Sequence, residues 1–116
     1  MKEVRETILD FLNKIKKENK LVIVEGINDK RALASFGVKR VKTLARRALY
    51  KFVEEVKDKE VVMLVDLDKE GKKLYSKLNH EFSQRGVRVD NRFREFLFKK
   101  TKLRQIEGLK RFMERL

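Results

Sequence analysis

Val4, Ile8, Phe11, Leu12 and Ile15 recur every three or four positions among charged neighbours, and this spacing predicts an amphipathic helix over residues 3–17. The polar stretch Lys17-Glu18-Asn19-Lys20 ends it, and the pattern then changes in kind. Leu21-Val22-Ile23-Val24 is continuously apolar, largely β-branched and bounded by charge, as expected of a strand covered on both faces. Gly26 follows as a turn, and Asp29 to Phe36 reads as a short helix closed by Gly37. A short second strand is expected within Val38 to Leu44, and Ala45, Leu49, Phe52, Val53 and Val56 mark another helix. Val61 to Val65 is a second buried strand, stopped by Asp66-Leu67-Asp68. From Gly71 the spacing of Leu74, Leu78 and Phe82 predicts a helix closed by Gly86, and Val87 to Asp90 forms a last strand. The tail from Asn91 to Leu116 reads as helical, with a break near Thr101.

Strands alternating with helices require crossover connections, which give an α/β fold with a mainly parallel sheet flanked by helices. In such sheets ligands gather at the carboxyl ends of the strands, where both acidic clusters fall. No repeat, low-complexity segment or proline marks a boundary, so residues 1–116 are expected to form one domain.

Composition narrows the chemistry. Hydrophobic residues make up 41% and are grouped in short runs, enough for a core beside 42% charged residues. The chain has no cysteine and one histidine, His80, so thiolate and histidine-rich metal sites are excluded. Any metal must be held by oxygen, which suits a hard cation such as magnesium or manganese. No apolar stretch is long enough to span a membrane, and the start lacks the apolar region of a secretory signal, so a cytoplasmic protein without membrane association is expected. The net charge of +13 is concentrated in residues 72–116, and such a surplus attracts polyanions, of which nucleic acid is the usual one. A heat-stabilising surface network would also raise charge, but with signs better balanced.

Glu25 ends the first buried run, Asp66 ends the second, and Asp68 stands two residues on. If the strands are neighbours, three carboxylates converge and repel one another, and a divalent cation is the natural resolution. Taken singly, each acid is equally explained as a turn residue or helix cap.

Val24-Glu25-Gly26-Ile27-Asn28-Asp29 followed by Ala32-Leu33, and Val65-Asp66-Leu67-Asp68-Lys69-Glu70-Gly71, resemble the two motifs of the Toprim domain. This domain is shared by DnaG-type primases, topoisomerases, OLD-family nucleases, the recombination-repair protein RecR and the nuclease that matures 5S ribosomal RNA. The resemblance covers about residues 20–90 and implies a four-stranded parallel sheet. It implies metal-binding and catalytic roles for Glu25, Asp66 and Asp68, with one or two magnesium ions, or manganese in their place. Asp29 is then a supporting acid, and Gly26 and Gly71 permit close backbone turns. A chain this short and basic looks especially like the small stand-alone archaeal Toprim proteins of family UPF0292. Arg104-Gln105-Ile106-Glu107-Gly108-Leu109 resembles the tail of that group and of the 5S-rRNA maturation nuclease.

These features point to magnesium-dependent phosphodiester chemistry on RNA or DNA, with Glu25 also able to move a proton. The alternative is an accessory nucleic-acid-binding module that needs a partner chain to cut. A topoisomerase requires a tyrosine nucleophile, and Tyr50 and Tyr75 both fall inside expected helices as partly buried packing residues. A primase requires a zinc module that a cysteine-free chain cannot build, and no GxxxxGK[ST] phosphate loop is present. Lys69 and Lys72 flank the acidic turn, and Arg88, Arg92, Arg94, Lys99 and Lys100 are candidates to track a phosphate backbone. Phe93, Phe96 and Phe98 among them suit either base stacking or helix packing, and the spacing favours packing. His80 reads as a surface residue without a role.

Overall fold

The two β-branched runs form the centre of the sheet. In the computed structural model, which describes residues 2–44 and 47–116, they become β1 (Leu21–Val24) and β3 (Glu60–Met63). β2 (Val41–Thr43) and β4 (Arg88–Asp90) flank them in the order β2-β1-β3-β4, and all three pairings are parallel. Leu21 pairs with Val61 and Ile23 with Met63, which sets the carboxyl ends of the central strands side by side. Connections run through α1 (Lys2–Lys17), α2 (Ile27–Ala34), α3 (Leu49–Glu55), α4 (Lys69–Gln84), α5 (Arg92–Lys100), a 3-10 turn at Ile106–Gly108 and α6 (Leu109–Glu114).

Strand alternation divides the core in two. Val22, Val24, Val62 and Leu64 face α1, α2, α5 and α6 through Ile8, Leu12, Leu33, Phe93, Leu97 and Leu109. Leu21, Ile23, Val61, Met63 and Val65 face α3 and α4 through Phe52, Val53, Leu78 and Phe82. The sheet is therefore covered on both faces, which is why its central strands read as unbroken apolar runs. Among the described residues no helix is long and apolar enough to cross a membrane.

The boundaries differ from the sequence expectation in informative ways. The helix expected from Asp29 starts at Ile27, because the Asp29 carboxylate sits in its first turn and accepts the Gly26 N–H at 3.1 Å. Strand pairing stops at Met63, although Leu64 and Val65 stay buried and the Leu64 N–H still donates to the Ile23 carbonyl. Ala45, assigned to the third helix by its spacing, lies outside the described residues. The break near Thr101 is the irregular segment 101–105, which bends at Lys102 and returns to the turn after β3. Tyr50, expected to be partly buried, is 54% exposed on α3.

Candidate functional site

The parallel register carries Glu25 and Asp66 to the same edge of the sheet, just past β1 and β3. There each acid is fixed by a backbone amide. Asp66 donates its N–H to Glu25 Oε1 at 3.2 Å, and Asp66 Oδ1 accepts the N–H of Ile106 at 2.9 Å. Asp29 Oδ2 holds Gly26, and Asp68 Oδ1 caps α4 by accepting the Gly71 N–H at 2.8 Å. Glu25, Asp29 and Asp66 line an open cleft of about 380 Å³ together with Ile27, Asn28 and Glu107. Asp68 stands beside this cleft rather than in its wall. One oxygen of Asp68 is thus committed to capping α4, while its charge still acts on both Glu25 and Asp66.

Burial in the cleft wall is the main influence on these acids. Asp66 is pushed up to about 6 by desolvation and by the charges of Asp29, Glu25 and Asp68, against the Ile106 amide, which lowers it. Glu25 is raised by burial, with Asp68 and Asp29 adding to the effect and the Asp66 amide and Arg94 opposing it. Asp29, only 6% exposed, is raised by burial and then by Glu107, against the Gly26 amide. A carboxyl whose folded pKa exceeds its unfolded value binds its proton more tightly when folded, so the metal-free chain gains stability as pH falls from 7 toward 5. The Asp66 share of this gain is on the order of 1 kcal/mol once solvent screening in an open cleft is allowed for. Urea titrations at the two pH values measure it, and Asp66→Asn should remove most of the difference.

The donor set is all oxygen and shares excess negative charge, which fits a hard divalent cation. Among the described residues, however, no three acidic or histidine side chains stand close enough together to hold an ion by themselves. Glu25 and Asp66 would hold it from the two strand ends, with Asp68 nearby, leaving other positions to water or phosphate oxygens.

Arg94 is a correction of another kind. Expected on a phosphate-tracking face, it is 5% exposed, with Nε donating to the Val65 carbonyl at 3.0 Å and Nη2 to the Asp66 carbonyl at 2.9 Å. Its guanidinium lies 4.7 Å from the ring centre of Tyr75, whose hydroxyl accepts from Asn91 Nδ2. Arg94 is therefore a strut under the turn that carries Asp66. The available signal was its position beside Phe93 and Leu97 on the buried face of α5. Replacing it with Met leaves two carbonyls unpaired and should cost about 2 kcal/mol, and Lys, lacking the planar fork, should restore only part of this by urea denaturation.

Two other arginines are also displaced from the site. Arg88 opens β4 opposite Glu60, at the amino end of the sheet, and pairs with it at 3.6 Å. Arg92 forks onto Asp90 at 3.0 and 2.8 Å, in a cleft shared with Glu18 and Lys20 at the start of β1. Lys69 and Lys72, in contrast, are exposed in the first turn of α4, directly after Asp68. Lys72 lies 4.5 Å and Arg104 4.9 Å from the ring centre of Phe98. Lys99 and Lys100 are exposed at the end of α5 and line a separate cleft with Lys102 and Phe112. Phe93 is buried and stacks on Phe11 at 4.9 Å, while Phe96 packs against Phe11 at 5.8 Å, so both rings are packing groups. His80 is exposed.

The tail contributes what local patterns could not show. The Leu67 N–H donates to the Arg104 carbonyl at 2.7 Å, and with the Ile106 amide this staples residues 104–106 to both sides of Asp66. Ile106 and Leu109 are fully buried beneath, which brings Glu107 into the cleft wall.

A family model described as Toprim-like matches residues 4–101. UPF0292 protein MJ1624 of Methanocaldococcus jannaschii is 32% identical, over 92% of this chain and 90% of its own length. The uncharacterized protein YusF of Bacillus subtilis is 32% identical over 72% of this chain and 64% of its own. A solved structure of a protein from Aquifex aeolicus, 35% identical, superimposes with a TM-score of 0.79 over 89% of this chain and 95% of that one. The two acidic motifs stand at the strand ends of a parallel four-stranded sheet, the family model spans most of the sequence, and the chain belongs to the Toprim-like family.

Proposed function

We propose that this protein is a magnesium-dependent phosphodiesterase that cuts RNA or DNA in the cytoplasm. Membership of the Toprim-like family points to metal-dependent chemistry on nucleic acids. The observation that carries the finer reading is the coupling of Glu25 to Asp66 across the ends of β1 and β3, in an open cleft on a chain of net charge +13. Magnesium, or manganese, bound there would neutralise the scissile phosphate and lower the pKa of an attacking water.

The protein's own groups then have distinct tasks. Asp66 and Glu25 would hold the cation, each oriented through a backbone amide. Glu25, in the cleft wall beside Asp66, is also the group placed to carry a proton to or from the reacting oxygens. Arg94 fixes the Asp66 carbonyl, so the carboxylate is presented at a constant angle. Lys69 and Lys72 offer ammonium groups to phosphates beside Asp68, and the open cleft admits a chain rather than enclosing a small molecule.

A second reading is supported by the spacing of the acids, since among the described residues no three of them close around an ion. An accessory module would then obtain its remaining ligands from a partner protein or from the nucleic acid itself. Incubation of the purified chain with end-labelled structured RNA and single-stranded DNA, in magnesium and in manganese, separates the two. Cleavage that disappears in Glu25→Gln supports the nuclease. Salt-dependent binding without cleavage supports the module.

A further inference from the structure

The cleft that holds Glu25, Asp29 and Asp66 does not end at Glu107. Asn28 and Glu107 are also walls of a larger groove of about 530 Å³ between α2 and the tail. Beyond these two shared residues the groove is lined by Arg31 from α2, by Ser35 that caps it, and by Lys110 and Arg111 from α6. The sign of the surface therefore changes from acidic to basic along one continuous depression. Arg31, Lys110 and Arg111 are exposed, and none is in an ion pair among the described residues. Arg40, Arg47, Arg88 and Arg92 are each paired with a carboxylate. Arg5, Arg85, Arg94, Arg104 and Arg115 line neither this groove nor the acidic cleft, although they too are in no such pair among the described residues. Asn28, Arg31 and Ser35 lie within the span that the family model matches, and Lys110 and Arg111 follow it.

We propose that the α2–α6 groove is a phosphate subsite that receives the backbone of the nucleic-acid strand as it leaves the acidic cleft, with Arg31, Lys110 and Arg111 as its anion contacts. The chemistry is specific to a polyanion. Only Ala32 is apolar among the lining side chains, so the groove offers little to a hydrophobic ligand, whereas three unpaired cations and the polar groups of Asn28 and Ser35 suit phosphate and sugar oxygens. A strand held at Glu25 and Asp66 is repelled by Asp29 and Glu107, and the adjacent cations offset that repulsion. The Lys99–Lys100–Lys102 cleft shares no lining residue with the acidic one and lacks this continuity.

The inference rests on nucleic acid being the ligand, and the test separates the two. Binding of a fluorescein-labelled single-stranded oligonucleotide, in DNA and RNA arms, is followed by anisotropy across a range of KCl concentrations. The groove variant Arg31→Gln/Lys110→Gln/Arg111→Gln is compared with Lys39→Gln/Lys57→Gln/Lys59→Gln, which removes the same charge from exposed positions at the amino end of the sheet. The groove variant should bind about tenfold more weakly or worse, with the slope of log K against log salt reduced by about 2, while the control keeps the wild-type slope. A thiol-reactive fluorophore at Ser35→Cys, a unique thiol in this chain, should respond to the oligonucleotide. Equal losses in the two triple variants, or a silent fluorophore while anisotropy reports binding, overturn the groove and leave the proposed function standing. Failure of the wild type to bind either oligonucleotide at low salt overturns both.

Discussion

Replacing Asp66 with asparagine is expected to lower phosphodiester cleavage by about a hundredfold to a thousandfold while leaving the metal-free chain folded and slightly more stable. The loss follows from removing one preorganised charge at the reacting phosphate, for which factors of this size are typical. The gain in stability follows from the same carboxylate, which burial and three acidic neighbours hold at a pKa of about 6. Asparagine keeps an oxygen that can accept the Ile106 N–H, so the tail remains attached while the repulsion disappears. Initial rates in magnesium together with thermal melts in EDTA measure the two effects. A variant that melts well below wild type would make Asp66 a structural anchor for the tail rather than a catalytic group.

Gly71→Ala should be the most destabilising single-methyl change in the site, costing about 3 kcal/mol and lowering Tm by roughly 10–15 °C. An added Cβ at Gly71 would collide with the backbone carbonyl of Asp66, which is itself held by Arg94 and cannot easily retreat. Alanine's higher helix propensity, worth about 1 kcal/mol, opposes this and loses. Gly26 is the control. Its backbone is extended, and an added Cβ there meets nothing within 4 Å, so Gly26→Ala should cost less than about 1 kcal/mol. The close turn expected at both glycines is thus required at Gly71 alone. Paired urea denaturations test the contrast, and equal effects at the two positions would refute it.

What could be read from the sequence follows the range of the interactions involved. The central strands were legible because their burial on both faces is written into consecutive β-branched residues. Parallel pairing then required Glu25 and Asp66 to share an edge, while the strand order came from the Toprim resemblance rather than from any residue pattern. Capping by Asp68 was legible as a local alternative, since an aspartate three residues before Gly71 can reach its N–H. The contacts that complete the site are long-range: Asp66 to Ile106 spans 40 positions and Arg94 to Val65 spans 29. No periodicity or motif encodes which amide a carboxylate will hold at that distance. For the same reason Arg94 reads as a phosphate-binding cation in the sequence, because charge alone does not reveal that two carbonyls lie within reach of a buried guanidinium. Composition groups Arg88 and Arg92 with it, but the register sets Arg88 opposite Glu60 at the amino end, and Asp90 holds Arg92 in a cleft with Glu18 and Lys20.

Glu25 and Asp66 are expected to act as one cation site. The measurement that tests this is a calorimetric titration of magnesium into wild type, Glu25→Gln and Asp66→Asn, each with and without a short 5′-phosphorylated oligonucleotide to supply phosphate oxygens. Binding by wild type, strengthened by the oligonucleotide and lost in both variants, is the predicted result. Binding that persists in the variants, or no binding by wild type even with the oligonucleotide present, would contradict it.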